Sequence, residues 1–275
     1  MLRKREYQAP LWDGGALSGK RIFVYPEQGL GDFIQFVRFV PRLASMGGEV
    51  ILEVPTSLQD MMPKNWIGVA YRPPSDAAPD FDCHASVMDL PAILNLDENG
   101  LKSTGPYLHP APSRVDEWST QFDDSGDTRV GVVWAGNPKH RNDHNRSIEA
   151  MQFAALLGVE GVRFYSLQVG RPIDDLACMG EGQITDLQNR LTDYHQTAAA
   201  IANLDVVISV DTSVAHLAGA MGRTVWTLLP YIPDWRWGLE GDSTPWYPTM
   251  RLFRQGAERS WVPVLEEVRE ALEAL

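Results

Sequence analysis

Residues 206–226 read VVISVDTSVAHLAGAMGRTVW, and this stretch decides the fold class. Its opening run, Val206-Val207-Ile208-Ser209-Val210, is almost wholly apolar, as a strand covered on both faces requires. Asp211-Thr212-Ser213 supplies a turn, residues 214–221 carry a helical pattern, Gly222 stops it, and a second strand opens at Thr224. Strand, helix, strand in this order is a βαβ unit with parallel strands. A similar unit opens near the start of the chain, with an apolar run at 21–25 and the turn PEQGLGD at 26–32. A helix is predicted over 32–46, where Phe33, Phe36, Val37, Val40 and Leu43 fall at helical spacing. Gly47-Gly48 is its stop, and a strand follows at 50–54. Further apolar runs at 130–134, 162–167 and 225–229 repeat the strand signature, so the expected class is α/β, two doubly wound Rossmann-like domains.

A chain of 275 residues suits two such domains. The expected linker lies in residues 110–128: Pro-Ala-Pro-Ser, a short polar helix containing Trp118, then the acidic turn Asp123-Asp124-Ser125-Gly126-Asp127, with few groups to bury. This divides the chain into an N-terminal domain over 1–126 and a C-terminal one over 127–275. The last helix, over 262–275, is amphipathic and charged. Asp and Glu outnumber Lys and Arg 36 to 24, and the net charge of -12 repels phosphate backbones and anionic lipid. Nucleic acid and membrane surfaces are therefore disfavoured partners. The two cysteines, Cys83 and Cys178, form neither a disulfide framework nor a zinc ribbon. The basic start Met1 to Arg5 runs into Glu6-Tyr7-Gln8, and no apolar run approaches the ~20 residues that span a bilayer. A cytoplasmic location without an integral membrane segment is expected.

Chemistry-bearing residues gather at expected strand ends. Gly29 and Gly31 permit a tight turn at the carboxyl end of the first strand, with Asp32 exposed at the start of a helix. Asp32 reads either as a helix cap or as a general base that takes the proton of an acceptor hydroxyl. Gly29-x-Gly31 with Glu53 also resembles part of a dinucleotide fingerprint, but Ile34 occupies the third glycine position and opposes the packing that motif needs. At the end of the 206–210 strand, Asp211, Thr212 and Ser213 open a helix whose free N–H groups suit a diphosphate; His216 reads as part of that site or as a satisfied interior histidine. After the 130–134 strand, Asn137, Lys139, His140, Arg141, His144 and Arg146 crowd one loop. It is either a solvated loop or a local positive field for a departing nucleotide diphosphate. His140 and His144 have zinc-like spacing without a third ligand, and Asp80-Phe81-Asp82 has the D-x-D form that some glycosyltransferases use for manganese; a metal is not expected at either. The aromatic loop Pro233-Asp234-Trp235-Arg236-Trp237 through Pro245-Trp246-Tyr247-Pro248 either lines a sugar cleft or packs one domain on the other.

The ordered motifs EQGLGDFIQFVRFVP, VGVVWAGNPKHRNDHNRSI, FYSLQVG, ISVDTSVAHLAGAMGRTVW and PDWRW…DSTPWYP…LFRQ resemble the catalytic region of bacterial TPR-linked glycosyltransferases. More distantly, Gly31-Asp32 and Asp211-Thr212-Ser213-x-x-His216 resemble motifs of the ADP-heptose:lipopolysaccharide heptosyltransferase family. The resemblance runs from about Trp12 to the C-terminus. It implies a GT-B fold, an inverting mechanism without metal or other cofactor, and a nucleotide-sugar donor held in a cleft between the domains. Asp32 matches the catalytic base, Thr212, Ser213 and His216 match the donor-phosphate segment, and Lys139 and Arg141 fall on a loop where that family places a lysine. Ser213 stands where heptosyltransferases carry glycine, and the tetratricopeptide repeats of many relatives are absent, so a separate TPR-containing chain is a possible partner. The resulting expectation is a diphosphate at Thr212, Ser213 and the Lys139/Arg141 loop, with base and ribose near Ser166-Leu167-Gln168. A protein or glycan acceptor enters beside Asp32. A nucleotide-sugar epimerase and a non-catalytic nucleotide-sugar-binding module are the rival readings.

Overall fold

The computed structural model describes residues 7–102, 105–122, 125–170, 173–180 and 182–275; the basic start at Met1–Arg5 and the linker residues Asp123 and Asp124 lie outside them. Two all-parallel sheets organise the chain. The first holds β1 (Arg21–Tyr25), β2 (Glu49–Glu53), β3 (Val69–Arg72) and β4 (Cys83–Ser86) in the order β3-β2-β1-β4. The second holds β5 (Thr128–Val133), β6 (Val162–Ser166), β7 (Ile184–Asp186), β8 (Val206–Val210), β9 (Thr224–Leu229) and β10 (Met250–Arg254) in the order β10-β9-β8-β5-β6-β7. Chain order reverses between β1 and β4 and again between β5 and β8. Open parallel sheets bind ligands at the carboxyl ends of strands beside such a reversal.

The apolar runs form strands because both sheet faces are covered. Along β5, Val130 and Val132 join a cluster with Phe153, Phe164 and Trp226, while Val133 on the opposite face joins a cluster that also contains Val24, Leu52 and Val207. That second cluster takes residues from both sheets, so burial ties the two halves together. Gly131 faces the same way as Val133; a Cβ there would lie 2.4 Å from Leu204 Cδ1, so only glycine lets Leu204 pack onto the strand.

The predicted helix at 32–46 is instead two helices, Leu30–Phe36 and Val40–Ser45, joined by a 3-10 turn at Val37–Phe39. Pro41 explains the break: it opens the second helix and has no N–H to continue the ladder of the first. Gly47 then leaves the helix with φ +85, as a helix stop requires. Residues 107–122 are packed rather than loose, because Leu108, Trp118 and Phe122 are all buried. Tyr107 and Leu108 donate their N–H groups to Ala220 O, at 2.9 and 3.3 Å. The helix Pro112–Ser119 lies on the helix Tyr194–Ala202, with the Trp118 indole N–H donating to Gln196 Oε1 at 2.7 Å. Among the described residues, no helix is long and apolar enough to cross a membrane.

Candidate functional site

The turn after β1 brings Asp32 to the junction of the two halves. Asp32 Oδ2 accepts the Gly29 N–H at 2.9 Å, and Oδ1 accepts from Arg236 Nη2 at 2.7 Å. The carboxylate side chain is 14% exposed and the guanidinium 10%, so the pair is largely shielded from water. Asp32 was expected to be exposed; Arg236, from the far half of the chain, covers it. The Gly29 contact is the capping arrangement, with Asp32 in the first turn of the helix, and the Arg236 contact turns its other oxygen toward the far half. The glycines act differently from the expectation. Gly29 has φ -72 and Gly31 is not among the residues of positive φ. What requires glycine at 31 is proximity: a Cβ there would lie 3.0 Å from His216 Cδ2 and 3.5 Å from Ser213 Cα.

Opposite this turn stands the helix Ser213–Ala220, capped by Thr212, whose Oγ1 accepts the Val214 N–H at 3.3 Å and shares a hydrogen bond with Ser209 Oγ at 3.0 Å. The Ser213 hydroxyl is bonded to that of Tyr194. Thr212 and Ser213 are half-buried, but His216 is only 2% exposed. Its ring stacks on Trp237, its Nδ1 shares a hydrogen bond with the Tyr247 hydroxyl at 2.9 Å, and its Nε2 lies 3.9 Å from Asp211 Oδ1. Burial, with the charges of Arg236 and Arg38, holds this imidazole neutral, its pKa well below the usual value. His216 thus supports the helix start from beneath. Burial also raises the pKa of the Asp211 carboxyl, while the Trp237 indole, Arg236 and Arg146 pull it back down.

The loop after β5 joins the same place. Arg146 Nη1 donates to Asp211 O at 2.7 Å, and its Nε pairs with Asp143 at 3.2 Å. A Cβ at Gly136 would lie 2.3 Å from Asp143 Oδ1, so glycine is what admits that pair beneath the strand end. Asn137, Lys139 and Arg141 are exposed on this loop, and Asn137 Oδ1 accepts the Lys139 N–H at 3.0 Å. Gln168, after β6, is buried; its Oε1 accepts the Ala135 N–H at 3.0 Å and so ties the ends of β5 and β6 together. The strand ends therefore assemble Asp32, Asp211, Thr212, Ser213 and the loop from Asn137 to Arg146 around the β5–β8 reversal, with Gln168 and His216 turned inward.

Sequence reasoning missed Arg236 as a site residue, along with its supports. Trp246 donates its indole N–H to Arg236 O at 2.7 Å, and Arg38, which donates to Trp246 O, stacks 4.8 Å over the Tyr247 ring. Trp246 and Tyr247 are buried and Trp235, exposed at its tip, stacks on Phe36, so this aromatic loop packs the halves together. Asp80 and Asp82 are both engaged with Arg21, one on its guanidinium at 2.6 Å and one on its N–H at 2.7 Å. Among the described residues, no three His, Cys, Asp or Glu side chains are grouped to hold a metal ion. A cavity of about 830 Å³ lies elsewhere, beside Arg38, and contains none of these strand-end residues.

The fold has counterparts among solved structures. A family 9 glycosyl transferase from Veillonella parvula superimposes with a TM-score of 0.64 over 89% of this chain and 88% of its own, at 13% identity. The ADP-heptose LPS heptosyltransferase II of E. coli gives 0.59 over 92% and 98%, at 16% identity. The chain has the heptosyltransferase fold. In sequence it is 27% identical over 266 residues to Protein FlbA of Caulobacter vibrioides, a match covering 88% of this chain and 44% of FlbA. The chain thus spans less than half the length of that relative. No protein-family model matches it.

Proposed function

We propose that this chain is an inverting, metal-independent glycosyltransferase that moves a sugar from a nucleotide-diphosphate donor to a hydroxyl of a protein or glycan acceptor. The observation that carries the reading is Asp32, held at the junction of the halves opposite the Thr212–Ser213 helix start. The heptosyltransferase fold supports it. Residues 127–275 hold the donor: its diphosphate meets the amide hydrogens that open the Ser213–Ala220 helix, with Lys139 and Arg141 beside it. Residues 1–126 present the acceptor. Asp32 takes the acceptor proton as that oxygen bonds to the anomeric carbon, and the bond to the diphosphate breaks with its electron pair leaving on phosphate. Arg236 neutralises Asp32 until donor phosphate competes for the guanidinium, since charged hydrogen bonds to phosphate and carboxylate are similar in strength. His216 acts from below as a positioning residue. The reaction belongs to the bacterial cytoplasm, needs no other cofactor, and draws on a TPR-containing chain for acceptor recognition.

A second reading has its own observation: both carboxylate oxygens of Asp32 already hold partners, which favours a non-catalytic nucleotide-sugar-binding module. Screening nucleoside-diphosphate sugars for thermal stabilisation, then following nucleoside diphosphate release with and without acceptors, separates the readings. A true donor at 100 times its dissociation constant adds ~2.7 kcal/mol and is consumed only with an acceptor. Stabilisation with no release under any condition means a binding module, and a changed sugar without acceptor means an epimerase.

A further inference from the structure

A cavity of about 830 Å³ opens between residues 38–42, 60–66, 100–102 and 105–112, within the ~300–1,000 Å³ range typical of ligand sites. Its lining runs against the composition of the chain. Arg38, Arg42, Lys64, Lys102 and His109 face one carboxylate, Asp60, in a protein where acids outnumber bases 36 to 24. Asp60 itself lies 3.8 Å from His195. Among the described residues, no side chain pairs with Arg42 or Lys64. Arg38 is the most telling. Its Nε donates to Gln35 O at 2.7 Å and its Nη1 to Trp246 O, yet its buried Nη2 has no hydrogen-bond partner. A buried donor left unpaired costs ~1–3 kcal/mol, and Arg38 is one of the residues that line the cavity.

We propose that this trough binds an acidic peptide segment. Its carboxylates meet the cations, and an apolar or aromatic side chain lies against Trp66, which is partly exposed. The cations come from three separate segments and stand among apolar surface, as recognition of an extended acidic motif requires. A phosphate site draws its donors onto one point instead. Trp66 offers a rigid flat face. The proposal does not rest on the sugar-transfer reading, since the cavity contains none of the strand-end residues; Arg38, which also donates to Trp246 O, borders both.

The test uses the full chain and a short fluorescein-labelled peptide in which Glu alternates with Leu and Tyr, read by anisotropy. Binding is expected, weakening with salt, and absent for the same peptide with Gln for Glu. Lys64→Glu combined with Lys102→Glu is expected to lower affinity at least about tenfold, with Asp32→Asn leaving it unchanged. Both lysines are exposed, and an unaltered melting temperature checks that the double variant folds; Lys64→Gln with Lys102→Gln serves if it does not. No binding, equal binding of the Gln peptide, or indifference to the lysine changes overturns the proposal. So does displacement by inorganic phosphate or by a sulfated oligosaccharide at matched charge, which would make this a general anion site.

Discussion

Replacing Arg236 by Gln removes the cation that touches Asp32 and leaves the local backbone bonds intact, because Trp246 and Asp234 hold position 236 through its O and N–H. Two charged contacts disappear. The contact to Asp234, at 3.3 Å with that carboxylate 37% exposed, is worth ~0–1 kcal/mol after solvent screening. The contact to Asp32 is shorter and shielded on both sides. Removing one partner of a fully buried pair costs ~3–5 kcal/mol; with Gly29 N–H still on Oδ2 and part of the group in contact with water, the expected loss is ~2–3 kcal/mol. A urea-unfolding cycle of Arg236→Gln, Asp32→Asn and the double variant isolates the pair. Residues in direct ionic contact couple by ~0.5–3 kcal/mol, and the shielded geometry places the expected coupling at ~1.5 kcal/mol or more. Additive single effects, with coupling under ~0.5 kcal/mol, would refute the view that Arg236 neutralises Asp32.

Gly31→Ala should destabilise by ~1–3 kcal/mol in the same assay, because the new methyl presses on His216 from 3.0 Å; a neutral result would mean that the contact yields freely. Asp211→Asn should raise the melting temperature at neutral pH, since burial raises the folded pKa of that carboxyl and its ionisation therefore opposes folding above that value; equal or lower stability would count against this. For His216 the folded pKa is depressed below 6.5, so its contribution is fully present above that pH. It is lost as pH falls, because only the unfolded chain then takes up the proton. Wild-type protein should lose stability between about pH 7 and about pH 5 more steeply than His216→Gln, and parallel urea curves would contradict this. Lys139→Ala with Arg141→Ala should weaken nucleoside diphosphate binding in calorimetry without altering stability, as both side chains are exposed; unchanged affinity would remove the loop from the site.

Much of the frame was legible in sequence because parallel strands buried on both faces read as nearly continuous apolar runs, as in β1, β8 and β9. β4 escaped notice because it reads Cys83-His84-Ala85-Ser86, a buried strand with two polar side chains and no apolar run. His84 finds the Tyr25 hydroxyl at 3.2 Å, a partner that only the assembled sheet supplies, and Ser86 caps the turn that follows by accepting the Met88 N–H. β7 is three residues long and two of them are exposed, too little pattern to read. The strand-end residues were legible as motifs, but their burial was not. Arg236 meets Asp32 across 204 positions of sequence, and nothing local in PDWRW distinguishes an ion-pairing arginine from a solvated one. Gly31 carried a signal of the right kind with a different cause: close approach of a second helix, not a left-handed turn.

In the proposed reaction the Asp32 carboxylate removes a proton while the far half of the chain holds the donor. Single-turnover sugar transfer by Asp32→Asn, with nucleoside diphosphate affinity measured alongside, tests it most directly. Turnover should fall by roughly 10²–10⁴ with affinity unchanged; transfer at the wild-type rate, or loss of donor binding together with activity, would contradict it.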